Sequence, residues 1–417
     1  MMNHKSWVKI FKINLLFFIG IIFYCYEFFL RLLTGVYQQQ IIDYFHINTH
    51  IGFSFLISSY NLTYLLMQIP AGVLLDKYGS KKILIIATLM CGLGNILFVL
   101  DGYALALFGR LLIGIGSSFA FLGVLKLSRE MLPNKYFGLF ASVVISFGTL
   151  AAAFSQQVSV FLAKYSISWN HMFIYVGLIA LPLSVLFYFF VPKSNFNVKL
   201  MPTQFIVSLM MRLIQDHKIW LNAIWAGLIY IPTVVLTSQY GVYYFKTIYA
   251  SSALTGAQLI TTLLLGWVVF SPIIILLANA THKLKLLVLI CELLMLLFWV
   301  IINFMPIVAH ANLFIYVFLF GMFSSVQVIV WQLLSKICSV EVSGVGVAVT
   351  NMIITGVTEL GQLASGGILD VVDKNRVLYQ YVGVDYNVQL MGLLFIICII
   401  VGFGLLMRLI DKYPIIV

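Results

Sequence analysis

Charge is scarce in this sequence. Only 9% of its 417 residues are Asp, Glu, Lys or Arg and 62% are hydrophobic, where an ordinary globular domain carries roughly 25% charged residues. So little charge cannot cover a water-soluble surface, and the chain reads as an integral membrane protein. Cysteine is sparse as well. Cys25, Cys91, Cys291, Cys338 and Cys398 stand far apart without a CxxC spacing, so neither a zinc site nor a disulfide framework is supported. The seven histidines fall in loops or at the ends of apolar runs, where none serves as a mid-membrane base or metal ligand. A Gly-rich Walker loop is missing, and with it any sign of energising by ATP. No cofactor is expected.

What the sequence has in abundance is length of apolar run. A helix needs about 20 apolar residues to cross about 30 Å of hydrocarbon, and twelve such spans are expected, near 13–37, 51–75, 81–100, 103–127, 136–163, 170–191, 219–246, 254–280, 284–304, 311–336, 343–369 and 388–410. Runs such as ILIIATLMCGLGNILFVL do not alternate, which excludes a β-barrel. The first run continues through Glu27 and Arg31 without a small-residue cleavage site and reads as an uncleaved span rather than a signal peptide.

The formal net charge of +11 raises a nucleic-acid partner as an alternative, and the distribution of basic residues decides against it. With the N-terminus placed inside, 18 Lys and Arg fall in inner loops, 4 in outer loops, and Arg31 and Arg110 inside spans. That asymmetry is the positive-inside rule, with both termini cytoplasmic. The excess charge then marks topology and attraction to anionic lipid, not nucleic acid.

The chain also repeats itself. Tyr24, Gly35, Val36 and Tyr37 recur as Tyr230, Gly241, Val242 and Tyr243 at an offset of 206, and GSSFAFLGVLKLSRE (116–130) lies over FSSVQVIVWQLLSKI (323–337) at an offset of 207. The expected fold is therefore all-α, twelve transmembrane helices in two pseudo-symmetric six-helix halves, 1–191 and 219–417, joined by a cytoplasmic linker at 192–218. Two homologous halves are the mark of a secondary transporter with its site at their interface.

The loop between the second and third spans reads GVLLDKYGSKKIL, Gly72 to Leu84. Gly, Asp, Gly and then basic residues resemble the signature loop of the major facilitator superfamily. Gly72 and Gly79 are expected to permit a tight turn and close helix approach, Asp76 to accept hydrogen bonds from a helix end, and Lys81 and Lys82 to hold the loop at the inner surface. With Lys126, Arg129 and Glu130, which close the fourth span, they form a candidate cytoplasmic gate. RLLIGIG, Arg110 to Gly116, is similar to the family's intramembrane arginine with spaced glycines. Arg110 serves substrate anion binding or proton coupling, or else snorkels outward. The loop LLANATHKLKLL between the eighth and ninth spans keeps the basic residues without the Asp, and the fifth span has Gly148 but no Gly-Pro pair typical of the family's drug antiporters. Drug efflux is thereby the weaker reading.

In YCYEFFLRLL, Glu27 and Arg31 stand four residues apart inside hydrocarbon, where an ionised side chain costs about 2.5–3.5 kcal/mol. On a helix they share a face and neutralise each other. Family resemblance turns that face to the central cavity, where Glu27 would take a proton in exchange for Arg31 and free the guanidinium for a carboxylate or phosphate; a structural ion pair is the alternative. YCYEFFLR is also similar to a bacterial branch distantly related to lysosomal dipeptide transporters, which implies amino acids or short peptides. Glu359 in the eleventh span is a second proton site or a partner for a substrate amine, whereas Glu292 reads as structural. Tyr24, Tyr26, Tyr60, Asn61, Tyr64, Gln68, Gln156, Tyr230, Gln239, Gln327, Trp331, Gln332 and Asn351 supply candidate cavity polarity or helix-packing bonds.

The expected function is proton symport of a small charged or zwitterionic metabolite by a monomer of the bacterial inner membrane, with lipid, substrate and protons as partners. Organic-anion or sugar-phosphate transport is the alternative, with a transporter-like sensor or polytopic enzyme further off.

Overall fold

In a computed structural model the described residues are helical, with no strand among them. The structure describes residues 4–131, 168–191, 211–281, 284–305, 312–338, 343–374 and 386–412, with Ser208 and parts of 144–162. The first helices are α1 (His4–Val36), α2 (Gln38–Tyr44), α3 (His50–Tyr78), α4 (Ser80–Phe98), α5 (Tyr103–Met131) and α6 (Trp169–Phe190). They are followed by α7 (His217–Val235), α8 (Gly241–Tyr249), α9 (Ala253–Thr281), α10 (Leu284–Phe304), α11 (Leu313–Ser324), α12 (Ile329–Ile337), α13 (Ser343–Lys374) and α14 (Tyr386–Lys412). Ten stretches among the described residues are long and apolar enough to cross a membrane. The second expected span is the 29-residue α3, which carries Pro70 within it; the fifth, at 136–163, and the 192–218 linker lie largely outside the described residues.

Two spans are not uniform helices. A π turn at Leu236–Tyr240 joins α7 to α8, and a 3₁₀ turn at Ser325–Val328 joins α11 to α12. Pro232, inside α7, cannot donate to the preceding turn, and in hydrocarbon the disturbed carbonyls need other donors. Thr237 Oγ1 donates to the Thr233 carbonyl at 2.8 Å and Ser238 Oγ to that of Val234 at 2.7 Å. Local hydroxyls thus serve carbonyls at the entry to the π turn.

The chain packs as two units. The first holds Met1–Arg31, Ser59–Ser155 and Leu162–Thr203, and the second Leu32–Ser58, Gln156–Phe161 and Gln204–Val417. Their boundaries cut through α1 and α3. In the first unit α4 packs on α5 and α6; in the second α9 packs on α11, and α7 on α13 and α14. Large apolar side chains left exposed, such as Leu66, Phe189, Leu276 and Leu360, face lipid in a spanning chain.

Close backbone approach explains the glycine motif in α5. A Cβ on Gly114 would lie 2.2 Å from the Tyr60 carbonyl of α3, and one on Gly321, 207 positions later, 2.0 Å from the Leu263 carbonyl of α9. The same small residue therefore closes an equivalent helix crossing in each unit. At the signature loop, Gly79 has φ +81°, a left-handed conformation that glycine adopts without strain. The expectation for Gly72 does not hold, because a Cβ there would meet nothing within 4 Å; that helix face lies open.

Gly114→Leu or Gly321→Leu should each cost about 1–3 kcal/mol through overpacking. Thermal unfolding in detergent should show a drop of several degrees for both, with Gly72→Ala close to wild type; equal melting of all four proteins would refute the packing argument.

Candidate functional site

The charged residues of the first span come together with α3 and α5. Glu27 is 2% exposed and accepts a hydrogen bond from the Tyr60 hydroxyl. Arg31, one turn on and half-buried, attracts it electrostatically. Burying a carboxylate costs several kcal/mol without compensation, and here a phenol donor and a cation supply it. Tyr64 stacks on Tyr60 at 6.2 Å between ring centroids, and Asn61, beside it in sequence, is buried.

Arg110 is not the snorkelling side chain of one sequence reading, because it is fully buried. Its Nη1 donates to the Leu30 carbonyl at 3.3 Å, and its guanidinium lies over the Tyr60 ring, 4.9 Å from the centroid, with Phe98 at 6.0 Å. Cation–π contact with desolvated rings is worth about 2 kcal/mol, and it presses the tyrosine that serves Glu27. Arg110 and Glu27 thus meet the same tyrosine, one at its ring and the other at its hydroxyl.

The second unit holds a relay of its own. Ser238 Oγ, in the π turn, donates to Gln362 Oε1 at 3.0 Å, and Gln362 Nε2 donates to Glu359 Oε1 at 2.7 Å. Glu359 is 9% exposed and is therefore tied to α7 through an amide. Beside Ser238, Gln239 is buried with neither amide atom hydrogen-bonded among the described residues, and Gln327 is buried in the 3₁₀ turn.

Other candidates fall differently. Tyr26 donates to the Val176 carbonyl of α6 at 3.0 Å, a packing bond inside the first unit rather than a cavity group. Tyr24 packs on Phe28 and Phe121, and Gly148 makes room for its ring, since a Cβ there would lie 2.4 Å away. Gln68, Tyr230, Gln332 and Asn351 are half-buried and Trp331 is exposed. Gln156 lies outside the described residues. Of the gate set, Lys126 Nζ donates to the Leu75 carbonyl at 2.6 Å, next to Asp76. Lys81 and Lys82 lie over the rings of Tyr188 and Tyr78; the side chains of Asp76, Arg129 and Glu130 lie outside the described residues.

Sequence reasoning missed one constellation in the second unit. Asp370, in the last turns of α13, accepts from the backbone N–H groups of His50 and Ile51, the latter at 2.8 Å. Tyr240 donates to the His50 carbonyl at 3.1 Å and bonds the Ser54 hydroxyl at 2.9 Å. A carboxylate at a helix N-terminus satisfies orphan donors and complements the dipole. The only sequence signal was an acid at the end of the eleventh span.

Ten stretches long and apolar enough to cross a membrane among the described residues, with charge buried between them, mark a polytopic membrane protein. Residues 16–361 match the Major Facilitator Superfamily, and the chain belongs to it. A human facilitated glucose transporter, solute carrier family 2 member 12, is 31% identical over 150 residues, 34% of this chain and 23% of that protein. The probable sulfoacetate transporter SauU of Cupriavidus necator is 30% identical over 138 residues, 33% of this chain and 32% of that one. The matched stretch thus spans a third or less of these relatives. Among solved structures, a bacterial homologue of the human lysosomal transporter Spinster superposes with a TM-score of 0.74 at 12% identity, covering 97% of this chain and 98% of that one. A D-xylose–proton symporter does so at 0.70 and 16% identity, covering 94% and 97%.

Two measurements check this geometry. A double-mutant cycle on Tyr60→Phe and Glu27→Gln, read by thermal unfolding, should give a coupling of about 1.5–3 kcal/mol, the range for a hydrogen bond to a charged group; additive effects would deny the bond. Asp370→Asn should speed hydrogen exchange at His50 and Ile51 about tenfold, the equivalent of about 1.4 kcal/mol, and unchanged protection would remove Asp370 from the tie.

Proposed function

We propose that the protein is a secondary transporter of two homologous halves, 1–191 and 219–417, working as a monomer in a bacterial inner membrane with both termini cytoplasmic. It carries a small polar metabolite with an anionic group by alternating access, coupled to inward proton flow, and amino acids or short peptides are the favoured substrates.

The observation that carries this reading is Glu27, a carboxylate with 2% exposure that shares its charge with the half-buried Arg31. A proton on Glu27 removes its attraction for the guanidinium and leaves it able to take a substrate carboxylate bidentately. Arg110 does not compete, since the Leu30 carbonyl and the Tyr60 ring hold it. Proton and anion therefore bind together or not at all, which is the requirement of symport. Glu359, on its Gln362 relay, is the second proton site or the partner for a substrate amine.

A second substrate reading, small sulfonates and sugar acids, is favoured by the relatives: besides the probable sulfoacetate transporter, a probable galactarate/D-glucarate transporter of Escherichia coli is 24% identical over 152 residues. These acids use the same arginine and differ in what surrounds it.

Proteoliposomes with an imposed inward proton gradient test both. Amino acids, dipeptides, sulfoacetate, glucarate, sugar phosphates and monocarboxylates are offered to wild type and Glu27→Gln. One pH unit per coupled proton supports about tenfold accumulation, because about 1.4 kcal/mol is a factor of ten. Wild type should concentrate one class, and Glu27→Gln should still equilibrate it without concentrating it. Accumulation that survives in Glu27→Gln would overturn the proton role.

A further inference from the structure

The function proposed above leaves one buried acid unused. Glu292 lies in α10 of the second unit, 2% exposed. Its Oε1 accepts from the indole Nε1 of Trp225 at 2.6 Å, and Trp225 is itself fully buried in α7. Its Oε2 is buried with no hydrogen-bond partner among the described residues. The side chains packed around this point, including Cys291, Val288, Ile329 and Leu406, form an apolar cluster.

Among the described residues, the helices against α10 bring it no cation. α9 and α11 carry no charged residue, and α10's own Lys285 is exposed. Arg408 on α14 is exposed, with Asp411 and Lys412 further along that helix. α7 has His217 and Lys218 only in its first turn, two turns before Trp225. Glu359 on α13, which packs on α7, is committed to Gln362, and Cys291 is the nearest titratable neighbour in sequence. One indole donor does not compensate a buried carboxylate, and an ionised group left so would cost several kcal/mol. A neutral acid needs no counter-ion, and its carbonyl oxygen is what an indole N–H suits.

We propose that Glu292 is a proton-binding site of the second unit, held as a neutral carboxylic acid whose carbonyl oxygen is clamped by Trp225. The site bridges α7 and α10 and is separate from Glu27, so it stands or falls independently of the coupling reading.

Infrared difference spectroscopy of the full chain in lipid, wild type against Glu292→Gln, tests it. The wild type should show one additional protonated-carboxyl C=O band that shifts in deuterated water; an additional carboxylate band in its place overturns the proposal. Trp225→Phe keeps the acid and removes its donor, so this band should move to higher frequency, and a band that stays put removes the clamp. Stability gives a second readout. A native state that holds one more proton than the unfolded chain loses stability as pH rises. The unfolding constant of wild type should therefore climb with pH more steeply than that of Glu292→Gln, by up to about tenfold per pH unit. Equal slopes would mean that Glu292 holds no extra proton.

Discussion

A bilayer offers no water to a buried polar group, and the rest of this structure follows from that constraint. Each hydroxyl, amide or charge within a span must find its partner in protein or cost several kcal/mol. The cheapest solution is local. Ser118, Ser325 and Thr237 bond carbonyls one turn back on their own helices, which ties them up without fixing a neighbour. The groups that cannot be satisfied locally are the informative ones: Glu27 reaches Tyr60, Arg110 reaches Leu30, Gln362 reaches both Ser238 and Glu359, and Glu292 reaches Trp225.

Apolar side chains do not drive such helices together, because lipid solvates them equally well. Close approach does so instead. Gly114 on Tyr60 and Gly321 on Leu263 bring carbonyls to distances that any side chain would forbid. The first of these contacts also fixes the backbone of the residue that donates to Glu27. Packing and chemistry thus share a residue, and a fault in the crossing between α3 and α5 would be felt at the carboxylate.

The spans, the repeat and the signature loop were legible because they depend on local composition and spacing. Glu27 and Arg31 were legible as a pair because i and i+4 share a helix face whatever surrounds them. Their partners were not, since Tyr60 lies 33 positions away and its approach depends on how three helices cross. Arg110 shows the limit most clearly: its type and depth left an anion site and a snorkelling side chain both open, and only tertiary packing shows it buried against a carbonyl and two rings. For Tyr26 the sequence left a cavity group and a packing bond both open for the same reason, as it cannot say which way a side chain on a span of uniform polarity turns. Asp370 escaped because its donors, two backbone N–H groups, carry no sequence signature.

At the offset of 206 that aligns Tyr24 with Tyr230, Glu27 falls on Thr233 and Arg31 on Thr237. Arg110, at the offset of 207, falls on Val317. The glycine crossing is duplicated and the charges are not. In place of an acid and a base one turn apart, the seventh span has two threonines, and the hydroxyl of the second is spent on the carbonyl of the first at 2.8 Å. A feature needed for packing would be expected in both copies of a duplicated scaffold, because both copies face the same bilayer. One that appears in a single copy, at the insertion cost of two ionised residues, is better explained by chemistry that the protein needs once.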